Sequence, residues 1–229
     1  MEPTILQYGP AAIARASIGM GYSGMVEIGS KMGEFVRGLG YKAQVMGNDT
    51  SLSVPIVIDA GLGELGRHGL AINPEFGPSF RPVKILTNMP LAVDKPIEFG
   101  VAEFCRTCKK CAELCPSKSI PMDKDPSYDV YCYGNNPGMK KWYVNTYTCH
   151  KFWNDNGNSC SICTGVCTYV KPRTWAHDFV KGISSRTSIF NSAFATLDDA
   201  FGYGKTLASN DPREFWKSPG RNKRWPGWE

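Results

Sequence analysis

The placing of its cysteines constrains this chain more than anything else in it. There are nine in 229 residues, none of them in the first 104 or the last 62. A disulfide framework staples a small chain throughout its length, whereas metal ligands crowd into one stretch. The first group reads Cys105-x2-Cys108-x2-Cys111-x3-Cys115-Pro116, a spacing that holds iron–sulfur cubanes, down to the closing proline. In that pattern three thiolates converge on one [4Fe–4S] cubane and the fourth reaches another. A second group is therefore required, and Cys149-x10-Cys160-x2-Cys163-x3-Cys167 supplies it with a stretched first interval. The expected sets are Cys105, Cys108, Cys111 and Cys167 on one cluster, and Cys115, Cys149, Cys160 and Cys163 on the other. Tetrahedral zinc also uses paired C-x2-C motifs, but it has no use for a third cysteine two residues further on. Cys132 is left over and reads as an inert buried thiol.

Formal charge is +5. A [4Fe–4S]²⁺ cubane on four thiolates carries about −2, so two of them bring the loaded chain close to neutral, and the basic balance says little about partners. No apolar run approaches the roughly 18 to 20 residues of a membrane span. Met1 to Gly9 shows neither a basic region leading into an apolar core nor a twin-arginine pair.

Residues 11–39 read as helix, with Met25, Ile28, Met32, Phe35, Val36 and Leu39 forming one apolar stripe. Gly40 is placed to stop it. Tyr41–Met46, Leu70–Asn73 and Val83–Thr87 read as strands, while Val54–Leu65 stays open between helix and buried strand. Residues 1–100 are thus a mixed α/β unit. Residues 101–172 are dominated by cysteine, lysine and aromatics, and the cysteine groups form an imperfect duplication. Helical patterns return from Thr174 to Phe201, and Ser218–Glu229 reads as an extended tail. Trp142, Tyr143, Tyr147, Phe152 and Trp153 cluster between the cysteine groups and read mainly as core, with Trp153 a candidate wall for an apolar pocket.

Gly61-Leu-Gly63-Glu-Leu-Gly66 satisfies G-x-G-x-x-G, but a dinucleotide turn should open a long helix. Here a strand-like Leu70-Ala71-Ile72 follows almost at once, so the glycines read as a packed helix end. His68, His150 and His177 are scattered, and H-E-x-x-H, G-x-S-x-G and a phosphate loop are missing. So is D-x-H-x-x-G, a source of a lower histidine ligand to corrinoid cobalt.

Gly47-Asn-Asp-Thr-Ser-Leu-Ser-Val-Pro55, Asp59-Ala-Gly-Leu-Gly-Glu-Leu-Gly-Arg-His-Gly69, Asp94-Lys-Pro96 and Glu103-Phe-Cys105 together resemble the catalytic subunit of corrinoid-dependent reductive dehalogenases. The similarity runs from about Gly19 to beyond His177. It implies an α+β chain. Residues 1–100 would be a partial nitroreductase-like three-layer α/β domain holding a base-off corrinoid. Residues 101–172 would be a ferredoxin-like module with two [4Fe–4S] clusters, and 173–229 C-terminal helices and a tail. The implied reaction is R–X + 2e⁻ + H⁺ → R–H + X⁻. Tyr22 is the implied proton donor, with Tyr8 its rival; Arg81 supports a phenolate and the halide, and Asn48 completes the catalytic set as a polar pocket wall, while Asn48 and Trp153 are the candidate cofactor-binding residues. Implied partners are an organohalide, a reduced electron donor and a small membrane-anchor subunit, without nucleic acid, on the extracytoplasmic face of the cytoplasmic membrane. Family members usually begin with a twin-arginine signal and a long N-terminal region, so this chain is expected to be a fragment or shortened form. Two other functions compete. An epoxyqueuosine reductase-like enzyme acting on tRNA would place a carboxylic acid near Asn48, where Asp49 is adjacent. A plain two-cluster electron carrier would bind no cobalt.

Overall fold

The computed structural model describes residues 1–48, 50–170, 174–207 and 209–217. Asp49 and the expected tail, 218–229, lie outside the described residues. In chain order the elements are α1 Pro3–Leu6, α2 Ala12–Gly38, β1 Ala43–Met46, α3 Ser53–Asp59, β2 Glu64–Leu65, β3 Ala71–Ile72 and β4 Lys84–Thr87. Then follow α4 Val101–Cys108, α5 Lys110–Glu113, α6 Thr146–Asp155, α7 Ile162–Gly165, α8 Trp175–Ser184, α9 Asn191–Ala200 and α10 Glu214–Lys217. The ambiguous stretch from Val54 resolves as a short helix followed by a two-residue strand.

The strands pair as two separate antiparallel ribbons, β1 with β4 and β2 with β3. That is narrower than a three-layer unit. In the first ribbon Val45 faces Ile85 and Met46 faces Lys84. The long helix α2 lies on this ribbon through glycines. A Cβ on Gly29 would stand 2.5 Å from Val83 Cγ2 and 2.9 Å from Val45 Cγ1, and one on Gly33 would stand 2.6 Å from Val45 Cγ2. The buried positions of α2 are accordingly Ala14, Ser17, Met25, Gly29, Gly33 and Val36.

This corrects the expected apolar stripe. Met25 and Val36 are buried, but Ile28, Met32, Phe35 and Leu39 are each about half exposed. The packed face runs one stripe over, because close approach to Val45 and Val83 requires residues without side chains, and apolar periodicity gives glycine no weight.

Elsewhere the core gathers around the cysteines. One cluster unites Ile72, Val101, Phe104, Tyr169 and Ala195 with Cys105, Cys108 and Cys167; the other unites Ala112 and Ile120 with Cys111, Cys115 and Cys163. Helix α1 docks on α7, where Ser161 Oγ donates to Leu6 O at 2.9 Å. Among the described residues no helix is long and apolar enough to cross a membrane.

Candidate functional site

Local structure aims the cysteines inward. Cys105 and Cys108 lie on α4, Cys111 on α5, Cys149 on α6 and Cys163 on α7. Between α4 and α5 the chain turns at Lys109, whose φ of 52° is left-handed and costly for a side-chain-bearing residue. The turn lets two short helices present Cys108 and Cys111 to one space. Asn145 caps α6, its side chain accepting from Thr148 N, and so fixes the start of the helix that carries Cys149.

All nine cysteines are free thiols. Burial pushes Cys105 up to about 12, Cys163 up to about 12 and Cys149 up to about 11. Neighbouring thiols add to this. Cys111 is raised first by burial, then by Cys105, Cys167, Cys163 and Cys108. Cys163 is raised by burial and then by Cys160, Cys149 and Cys115. These are two sets of four, joined through Cys111 and Cys163. Buried thiols packed against one another do not ionise unaided, and a cationic metal group among them reverses that preference.

Among the described residues no three His, Cys, Asp or Glu side chains close on a point fit for a single ion. Cys105, Cys108, Cys111 and Cys167 instead line a small cavity together with Arg67, His68 and Lys110. The polar atoms around it suit a sulfur-rich anion. His68 Nδ1 accepts from Leu70 N at 3.2 Å, which leaves the proton on Nε2, and Nε2 is buried without a partner. Burial holds this imidazole down at about 4, so it stays neutral. In the second set Cys115 Sγ accepts from Ser119 N at 3.4 Å. The donor set and the orphaned N–H fit iron–sulfur clusters.

Arg67 and Lys110 are further residues the sequence did not single out. Arg67 is 1% exposed, stacks 4.4 Å from the Trp142 ring and donates to Cys105 O and Pro121 O. Burial lowers its pKa, opposed by the nearby thiols of Cys111, Cys105 and Cys108. Lys110, buried between two cysteines, pairs with Asp198 and Asp199, each at 2.7 Å. Burial pulls its pKa down, but the two carboxylates outweigh burial and leave it raised. Arg67 and His68 stood inside the glycine-rich run. There a Cβ on Gly63 would meet Ile72 O at 2.4 Å, as a packed turn requires.

Tyr22 on α2, Asn48 in the turn after β1 and Arg81 in the loop before β4 come together. The Arg81 guanidinium lies 4.4 Å from the centre of the Tyr22 ring, and Asn48 Nδ2 approaches Tyr22 Oη at 3.5 Å, the outer limit of a hydrogen bond. Arg81 Nε is buried without a hydrogen-bond partner, and burial lowers its pKa while Tyr22 acts to raise it. Tyr8 does not join them: it is 1% exposed and packs edge-on to Phe215. Trp153 follows Cys149 by one turn of α6, is 38% exposed and lies 6.1 Å from His150. Asn48 is exposed too. Trp142 and Tyr143 are core, as expected, but Tyr147 is exposed.

Cys132 departs from its expected inert role. It is half-buried, its thiol 3.3 Å from Thr146 Oγ1, and that hydrogen bond with others from the start of α6 lowers its pKa.

No family model matches the chain. It is 41% identical over 223 residues to a tetrachloroethene reductive dehalogenase of Desulfitobacterium hafniense, covering 92% of this chain and 40% of that protein. It is 38% identical over 216 residues to the tetrachloroethene reductive dehalogenase of Sulfurospirillum multivorans, covering 94% of this chain and 42% of that one. The catabolic reductive dehalogenase NpRdhA, solved with 3-bromo-4-hydroxybenzoic acid, superposes with a TM-score of 0.80 at 26% identity, over 90% of this chain and 29% of that one. A structure described as suggesting a mechanism for B12-dependent dehalogenation matches equally, at a TM-score of 0.80. An epoxyqueuosine reductase of Lactococcus garvieae is more distant, at 26% identity over 185 residues and 74% of this chain.

Proposed function

As a homologue of the reductive dehalogenases, matching them over 92% of its own length and about 40% of theirs, this chain, we propose, carries the proton-donating and electron-feeding parts of a reductive dehalogenase. The reaction would be R–X + 2e⁻ + H⁺ → R–H + X⁻ on an organohalide. The observation that carries the reading is the convergence of Tyr22, Asn48 and Arg81. In this reading residues 1–100 are the nitroreductase-like part and 101–172 the ferredoxin-like part.

A bound corrinoid would supply low-valent cobalt to break the carbon–halogen bond, and two [4Fe–4S] clusters on the eight cysteines would supply electrons. Tyr22 Oη holds the proton that the carbon takes up. A free phenol ionises near pH 10, so giving up that proton needs help. Arg81 over the ring provides it, since a guanidinium stabilises the phenolate more than the phenol. The same cation, with no acid neutralising it at Nε, is placed to favour the departing halide. Asn48 orients the hydroxyl through its amide. Asn48 and Trp153 would border the corrinoid. A reduced electron donor, a small membrane-anchor subunit and an extracytoplasmic position belong to the same proposal.

The test is anaerobic reconstitution with iron, sulfide and corrinoid, followed by metal counting and a halide-release assay on tetrachloroethene with reduced viologen. The expected result is cobalt together with about eight irons. Tyr22→Phe should cut halide release by roughly 10²- to 10⁴-fold at unchanged metal content. About eight irons without cobalt would refute the dehalogenase reading and leave an electron carrier. Cobalt uptake without halide release would turn attention to the epoxyqueuosine reductase likeness.

A further inference from the structure

Tyr169 follows Cys167 by two residues and is held in place by its surroundings. A turn fixes its backbone, with Val170 N donating to Cys167 O at 2.9 Å. Gly77, at a left-handed φ of 57°, lets another loop close on it: a Cβ there would stand 2.5 Å from Tyr169 O. Phe99 and Phe104 meet the ring edge-on, with centroids at 5.9 and 5.5 Å. A phenylalanine would make the same ring contacts, so packing leaves the hydroxyl without a purpose. Tyr169 is 6% exposed, and its Oη is buried with no hydrogen-bond partner among the described residues. Buried hydroxyls are almost always paired.

The missing acceptor belongs on the side of the cysteines. Tyr169 lines the small cavity shared by Cys105, Cys108, Cys111 and Cys167, and the ionisable groups that act on its hydroxyl are Cys105, Cys167, Glu64 and Cys108. Glu64 is engaged already, its Oε2 accepting from Phe99 N at 2.5 Å and Val101 N at 3.2 Å. Among the residues of that cavity, His68 Nε2 is the other buried side-chain atom without a partner. Two orphaned donors on one cavity suit an occupant made of acceptors, as the sulfurs of a cluster are. We propose that the Tyr169 hydroxyl donates a hydrogen bond to a sulfur of the cluster held by Cys105, Cys108, Cys111 and Cys167, and so raises the reduction potential of that cluster. Reduction adds negative charge to the sulfurs, and a donor aimed at them favours the reduced state. The inference rests on the iron–sulfur reading of the cysteines and is independent of the corrinoid and the organohalide.

The experiment compares the iron-loaded chain with its Tyr169→Phe variant, which keeps the ring and loses the donor. In redox titration followed by EPR, one cluster should become about fivefold harder to reduce, the worth of one hydrogen bond. That is a fall of about 40 mV, at about 59 mV per tenfold for one electron. The other cluster should stay fixed, and the one that moves should be the one that His68→Phe moves. Pulsed ENDOR on reduced protein prepared in H₂O and in D₂O should show an exchangeable proton coupling that Tyr169→Phe lacks. A tyrosine that only packs would move neither reading. Potentials or couplings unchanged at full iron content would overturn this inference alone. The His68→Phe chain supplies a check that does not depend on the tyrosine variant: an exchangeable coupling should remain there, and its absence would overturn the inference equally. Failure of the unsubstituted chain to take up iron would overturn it together with the iron–sulfur reading.

Discussion

Helix α2 on its ribbon and the cysteine-bearing segment are both close-packed, by opposite means. In the first, contact is made by omission: Gly29 and Gly33 leave room for Val45 and Val83, while Ile28, Met32, Phe35 and Leu39 stay half exposed. In the second, the chain buries among its thiols what a core normally avoids: Arg67, His68 and Lys110. The first arrangement holds no thiol and sets Tyr22 against Arg81, whose own Nε is buried without a partner. The second leaves an N–H without a partner and thiols that will not ionise alone, so its stability is conditional on what it holds. The proposed proton donation and electron supply would thus fall to parts of the molecule with different dependence on metal.

The sharpest way to break this contrast is Cys163→Ala. Cys163 is the thiol through which the second set touches Cys111 of the first. Iron should fall from about eight toward about four per chain, and the thermal midpoint should drop further than for any single change in α2. Retention of about eight irons, measured by colorimetric iron assay, would refute the assignment of Cys163 to a cluster.

Two glycines in one helix give the next largest effect, with opposite signs. Nothing lies within 4 Å of a Cβ on Gly19, so Gly19→Ala should stabilise by up to about 1 kcal/mol through helix propensity alone. At Gly29 the same gain meets Val83 Cγ2 at 2.5 Å, and overpacking of about 1–3 kcal/mol outweighs it. Gly29→Ala should therefore destabilise by about 1 kcal/mol in denaturant titration, with iron content unchanged. Equal midpoints for the two variants would show that α2 does not press on the ribbon.

These cases show what was readable in the sequence. The limits of α2 followed from apolar periodicity, since Ala12–Gly38 falls within the expected 11–39, but its buried face did not, because a glycine contact leaves no apolar mark. Cysteine spacing suggested which thiols belong together, because short loops leave little freedom. Tyr22, Asn48 and Arg81 came from resemblance, and no local pattern would have joined residues so far apart in the chain. His68 read in the sequence only as one of three scattered histidines, and its place beside Cys105 depends on folding, which spacing does not encode.

A smaller effect is expected at His68. If Nε2–H donates to a cluster sulfur, it favours the more negative, reduced state. His68→Phe should then lower the potential of one cluster by about 40 mV, the equivalent of about 1 kcal/mol for one electron. Redox titration followed by EPR would show one cluster moving and the other fixed. Because burial keeps this imidazole neutral down to about pH 4, the shift should be independent of pH between 6 and 8. A shift that grew at the acidic end of that range would show the ring protonating, against its burial.

The mildest test concerns the ninth cysteine, which inverts the behaviour of the raised cluster thiols. Burial raises Cys105, Cys163 and Cys149, while hydrogen bonds from Thr146 and the start of α6 lower Cys132. The thiolate is the reactive species, so a lowered pKa means more of it at a given pH. In iron-loaded protein Cys132 should be the first cysteine alkylated by iodoacetamide, with half-maximal rate below the pH of an ordinary thiol. Thr146→Val removes the largest of these hydrogen bonds, so the half-maximal pH should rise, by a fraction of a unit, toward that ordinary value. Peptide mass mapping after timed alkylation reads both results. If a cluster cysteine were modified before Cys132 while iron remained bound, the separation between one solvent-reactive thiol and eight sequestered ones would fail, and with it the claim that the second region buries its thiols for a metal.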